Sequence, residues 1–207
     1  MKMMLPLVWI VALLALPALA QDAGDAAPQP DPKAEQFEAL RAQAAERGAT
    51  LTEAQVRQLL QLGNELGKPY TAERAVKAYF NRNLNVSPSL LLLAADNARL
   101  AADYPTAVAR YKAFLNVAGS KPDAAEVGDA AASLYQVQLE YLRNIDDAYA
   151  TMREFGSTLR GSLNARRYDA WFLDQARRRN DYAAAAERLR VILSEKQPLE
   201  QERLHYW

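Results

Sequence analysis

The sequence predicts an all-α protein, a solenoid of antiparallel helix hairpins, and three observations carry that expectation. From Lys33 to Trp207 the apolar residues recur with helical spacing, and no stretch alternates as a strand does. Residues that start and stop helices punctuate this region at short intervals. A short pattern, Asp-Tyr-x-x-Ala, occurs in "AADYPTAVARY" at 101–111 and returns in "RRRNDYAAAAERL" at 178–190.

The chain of 207 residues opens with "MKMMLPLVWIVALLALPALA", in which Lys2 precedes an apolar run that ends in Ala18-Leu19-Ala20. That is the order of a secretory signal peptide, with the small residues that signal peptidase accepts. An uncleaved membrane anchor is the competing reading; Pro6, Pro17 and the small-residue exit favour cleavage before Gln21. The expectation is a bacterial protein exported to the periplasm or secreted, with no stable membrane insertion once residues 1–20 are removed. Residues 21–32, "QDAGDAAPQPDP", have too little apolar surface to offset their ordering entropy and read as a disordered linker.

The helical repeat domain is expected over 33–207. A first helix runs from Lys33 to Arg47 and stops at Gly48. Hairpins follow at about 52–84, 88–118, 123–155 and 164–196, with a partial helix at 198–207. Thr52 with Gln55 forms a capping box, Thr71 precedes the second helix of that hairpin, and Ser87-Pro88 joins a hydroxyl cap to a first-turn proline. Pro105 opens the next helix and Gly119 closes it; Asp146 and Asp147 open a later one, where carboxylates complement the helix dipole.

The hairpins align on their second helices at Ala75, Ala107, Ala148 and Ala185, spaced 32, 41 and 37 residues apart. Four positions on stand Tyr79, Tyr111, Met152 and Leu189, and three further on Arg82, Phe114, Phe155 and Ile192, so the first copy breaks the apolar face. Asp103, Asn144 and Asp181 sit in the turns, where such side chains bond their own backbone and tolerate left-handed geometry. Tyr104, Ile145 and Tyr182 are expected to plug the closed ends of the hairpins. The alanines let paired helices approach, against a small face formed by Ala94, Ala95, Ala98, Ala101 and Ala102.

"DYPTAVARYKAFL" and "NDYAAAAERLRVIL" resemble the tetratricopeptide repeat family, with weaker likeness at "NIDDAYATMREF" and weakest at "PYTAERAVKAYF". The resemblance covers about 50–207, and the copies depart from it in spacing and in lacking the family's early Trp and its first-helix Gly, where Ala95, Gln136 and Leu173 stand. It implies a stacked solenoid whose first helices line a groove for a protein or peptide. By register that groove holds Asp96, Arg99, Glu140, Arg167, Asp174 and Arg177, charges that either contact a partner or simply keep the groove wet. Asp96, Val137 and Asp174 occupy positions where some family members carry an Asn that clamps a C-terminal carboxylate, so that ligand is not expected.

Composition and motifs argue against enzyme chemistry. Cysteine is absent, which removes disulfides, thiolate catalysis and a lipidated cysteine. His205 stands alone, so no metal or cofactor is expected, and "GSTLRGSLN" at 156–164 is not a phosphate loop. Twenty-five basic residues balance 25 acidic ones, and "RRR" at 177–179 spreads around a helix end, so nucleic acid is not an expected partner. The expected function is a non-enzymatic protein–protein interaction scaffold. The alternative is the N-terminal repeat segment of a larger envelope-assembly or polysaccharide-export protein, an architectural analogy only. "PLEQERLHYW" reads either as a short end cap or as a repeat array that continues, and continuation is favoured.

Overall fold

The computed structural model of the chain describes residues 31–46, 51–83, 85–118, 124–156 and 163–194, with backbone only at 124–125, 163–167 and 194. All fall in the unit that begins at Asp31. The expected signal segment, the linker as far as Pro30, Gly119, the partial helix with His205 and most of "GSTLRGSLN" lie outside the described residues.

The described residues form an all-α structure whose helices are α1 Pro32–Ala45, α2 Glu53–Glu65, α3 Pro69–Arg82, α4 Pro88–Leu100, α5 Tyr104–Ala118, α6 Ala124–Gln136, α7 Ile145–Phe155, α8 Leu163–Arg178 and α9 Tyr182–Ser194. Most starts follow local chemistry. Asp31 caps Lys33 N–H at 3.0 Å, and Thr52 and Gln55 form the expected capping box. Ser87 accepts from Leu90 N–H at 3.3 Å ahead of Pro88. One expected start moves: α3 begins at Pro69 rather than after Thr71, because a proline needs no hydrogen bond in the first turn.

The turns between paired helices share one geometry. Gly67, Ala102, Arg143 and Asn180 all have left-handed φ, at 66°, 59°, 53° and 56°. The next residue's N–H reaches back to close the preceding helix: Lys68 to Gly63 O (2.6 Å), Asp103 to Ala98 O (2.9 Å) and Asp181 to Ala176 O (2.8 Å). Asp103, Asn144 and Asp181 then cap the following helix through Thr106, Asp147 and Ala184 N–H. The turn carboxylates and amide are therefore caps, and the left-handed position is the one before them.

This geometry corrects the register of the first hairpin. Lys68 occupies the place of Asp103, so Ala72 rather than Ala75 matches Ala107. Ala72 and Val76 are fully buried, Ala75 is half-buried, and Tyr79 takes the place given to Arg82. The broken apolar face was a misalignment by nearly one helical turn.

In the third hairpin the closing bond spans one residue more, from Asn144 N–H to Gln138 O at 2.8 Å. The extra residue is taken up by a π-helical turn, Val137–Tyr141, that continues α6. It accounts for part of the long 41-residue spacing read from the sequence. It also displaces α6 by one, so Tyr135 stands where Ala95 does and Gln136, not Val137, aligns with Asp96.

Among the described residues every extensive contact joins helices one or two places apart in sequence. One buried cluster draws on α1 to α4 around Phe37, Val56, Leu59 and Val76, the other on α4 to α8 around Tyr111, Phe114, Tyr135 and Phe172. Helix α4 serves both, giving Leu90 and Ala94 to the first and Leu91, Ala95 and Ala98 to the second. Small residues stand where the paired helices meet. A Cβ on Gly63 would lie 2.5 Å from that of Ala72, and Ala98 and Ala176, which accept the equivalent closing bonds, are fully buried. Ala102 belongs to the turn rather than to the small face.

Tyr104 stacks on Tyr141, with centroids 4.4 Å apart. Ile145 and Tyr182 do not plug their turns; they are 46% and 65% exposed, and the Tyr182 hydroxyl donates to Asn180 Oδ1 of the turn at 3.1 Å. Ala107 is fully buried and Ala185 half-buried. Ala107→Leu is expected to cost about 1–3 kcal/mol by overpacking, and Ala185→Leu much less. Thermal unfolding of the two variants checks this; equal melting temperatures would contradict the packing.

Candidate functional site

Helix α4 carries Asp96 and Arg99 one turn apart, and Tyr111 of α5 fixes both. The buried phenol donates to Asp96 Oδ1 at 2.5 Å and accepts from Arg99 Nε at 3.3 Å. Burial, and then the Asp96 charge, hold the Tyr111 hydroxyl protonated far above its ordinary range. The Arg99 and Asp96 side chains stay 31% and 41% exposed and lie 3.9 Å apart. Exposed Tyr141, from the π-helical turn, stacks its ring on Tyr104.

Glu140 neighbours Tyr141 in the same turn. It accepts from Gln136 Nε2 at 2.9 Å and from Tyr168 Oη of α8 at 2.6 Å. The Tyr168 ring meets Tyr135 edge-on at 4.5 Å, so Tyr168 is held from both ends. Further along α8, Asp174 accepts from Arg177 at 2.9 Å and Arg178 at 2.6 Å, and these bonds pull its carboxyl below the ordinary range.

Of the expected groove residues, the structure thus pairs Asp96 with Arg99, ties Glu140 to α8 and pairs Asp174 with exposed Arg177. The side chain of Arg167 lies outside the described residues. Arg179 completes the "RRR" stretch by pairing with Asp146 and lying 4.8 Å from the Tyr149 ring centre. Each of the three arginines thus pairs with an acid of the chain.

Two buried ion pairs were missed. Arg110 makes two bonds to Glu73, at 2.6 and 2.7 Å, donates to Ala94 O at 3.0 Å and lies 4.1 Å from the Phe80 ring centre. Arg188 bonds Asp169 at 2.6 Å and the Gly156 carbonyl. A signal existed. Arg110 and Arg188 stand three residues after Ala107 and Ala185, inside the two segments that carry the repeat. An arginine in that place reads as a solvated charge until the neighbouring helix is known to bring an acid to it.

Sequence reasoning also missed a cleft of about 840 Å³ between α3 and α5, with Tyr70, Arg74 and Lys77 on one side and Pro105 and Thr106 on the other. The Arg110–Glu73 pair lies at this cleft. Among the described residues no group of three or more His, Cys, Asp or Glu is placed to hold a metal ion, and no helix is long and apolar enough to cross a membrane.

What the fold defines is an all-α protein of helix pairs joined by a recurring left-handed turn. Comparison with known proteins adds no relative: no family model, no curated protein and no solved structure matches the chain.

Proposed function

We propose that the protein is an exported, non-enzymatic interaction scaffold built from tetratricopeptide-like hairpins, whose first helices α4, α6 and α8 offer a polar and aromatic strip to a protein partner. The observation that carries this reading is the way buried or half-buried tyrosines hold charges that solvent can reach. Tyr111 fixes Asp96 and Arg99, and Tyr168 fixes Glu140. Charges held in one rotamer by the core lose less entropy on contact than free surface charges do.

The turn that recurs in four places and the restriction of contacts to near neighbours support a stacked arrangement. Export rests on the character of residues 1–20.

The test is isolation of the native complex from the protein's own cells. Arg99→Glu is expected to abolish co-purification of the partner, whereas Arg143→Glu, an exposed turn position, leaves it intact; both variants should keep the wild-type melting temperature to within a few degrees. Retention of the partner by folded Arg99→Glu would exclude the strip.

A further inference from the structure

We propose that α3 forms a second docking site, for an acidic, extended segment of a partner protein, in the cleft between α3 and α5. The site is distinct from the first-helix strip and does not depend on it. The argument begins with a census of charge. Among cations with described side chains, Arg74, Lys77, Arg82 and Arg143 have no acidic partner within ion-pair distance. Arg74, Lys77 and Arg82 all lie on α3. The same helix has one acid, Glu73, and Arg110 engages both of its oxygens inside the protein.

Surface charge on a solvated helix is usually mixed, and here the neighbouring helices follow that habit: Arg41 pairs with Glu38, and Arg57 with Glu53. The α3 cations are left over because the helix's only carboxylate points inward.

Geometry gives this charge a shape. Tyr70, Arg74, Lys77 and Asn81 follow one another at helical spacing along one wall of the cleft, and Tyr70 is 61% exposed with Arg74 over its ring. The Arg110–Glu73 pair is internally neutral and leaves the lining cations Arg74 and Lys77 against the single unspent acid Asp103, itself bonded to Thr106. A separate hollow of about 460 Å³ between α1 and α3 shares Tyr70 and Arg74 with the cleft. Residues three apart on a helix surface lie about 5–6 Å from each other. Alternate side chains of an extended chain lie about 6.6 Å apart, so carboxylates two residues apart meet Arg74 and Lys77 together. A cleft of about 840 Å³ suits several residues of extended chain rather than one compact anion.

The experiment uses a fluorescein-labelled synthetic peptide alternating glutamate with threonine, and the same peptide with glutamine in place of glutamate, titrated with the full chain and read by fluorescence anisotropy. The glutamate peptide is expected to bind, to weaken as salt rises, and to weaken about tenfold in Arg74→Glu/Lys77→Glu. The neutral double variant Arg74→Gln/Lys77→Gln, with its far-ultraviolet circular dichroism unchanged, is expected to show the same loss in smaller measure. The glutamine peptide should bind far more weakly, and Arg143→Glu, which reverses an unpaired cation elsewhere, should leave binding as it was. So should Arg99→Glu, which separates this site from the first-helix strip. No binding of the glutamate peptide, equal binding of the two peptides, or an equal loss in Arg143→Glu or Arg99→Glu would overturn the proposal. Binding to phosphatidylglycerol vesicles that needs Arg74 and Lys77, without binding of the peptide, would overturn it in favour of a lipid surface.

Discussion

Glu73→Gln will lower the stability of the protein by about 3–5 kcal/mol, because it leaves a charged guanidinium buried without its counter-ion. Glu73 and Arg110 are only 5% and 7% exposed, and each Glu73 oxygen receives one guanidinium nitrogen. Asn97 adds a bond to Glu73 at 3.3 Å, and the Ala94 carbonyl takes another from Arg110. Little solvent reaches the group that remains after the substitution. Removing both charges behaves differently. Glu73→Leu/Arg110→Met, of similar volume, is expected to fall within about 1 kcal/mol of wild type or above it, since two desolvation penalties disappear together. Urea unfolding of Glu73→Gln, the double variant and the wild type makes the measurement. A cost below about 1 kcal/mol for Glu73→Gln would mean that water solvates the pair.

Phe37→Ala is the other large effect, about 3–5 kcal/mol from lost burial and the cavity left behind. Phe37 is fully buried in the cluster with Val56, Leu59, Leu60 and Ala72. Its ring also lies 3.4 Å from where a Cβ on Gly63 would stand, so it fills the space the glycine leaves between α2 and α3. Ion pairs from Lys33 to Glu65 (2.7 Å) and from Lys68 to Glu38 (3.2 Å) hold the same helices at their surface, but both are well exposed and add little. Thermal unfolding with limited proteolysis checks the expectation. A small loss with early cleavage in α1 would make that helix an accessory; a large cooperative loss would make it part of the core.

The helices themselves were legible in the sequence because their ends are set by nearest neighbours. Thr52 and Ser87 each bond a backbone N–H three residues away, and no distant residue is needed to place them, whereas Asp31 and Pro32, read as linker, in fact cap and open α1. The repeat was legible in the second and fourth hairpins, where the Asp-Tyr-x-x-Ala turn is intact, and was misread in the first, where Lys68-Pro69 replaces Asp-Tyr. There the left-handed Gly67 and the Lys68–Gly63 bond define the register, and both are facts of conformation. The candidate strip was legible as a set of charges on first helices. That Tyr111 and Tyr168 would hold those charges in place was not, since each tyrosine comes from a different helix than the acid it bonds.

By itself the sequence determined an all-α chain, the places where most helices begin, and the burial of Ala94, Ala95, Ala98 and Ala107. These follow from interactions within one or two turns of backbone, where order along the chain is also order in space. Only the tertiary structure decided the π-helical turn in α6, the burial of Arg110 and Arg188 against acids 37 and 19 residues away, and the unspent positive charge of α3. The physical reason is common to all three. A buried charge or an extra residue in a helix is stable only if a neighbouring helix completes it, and that neighbour is chosen by packing.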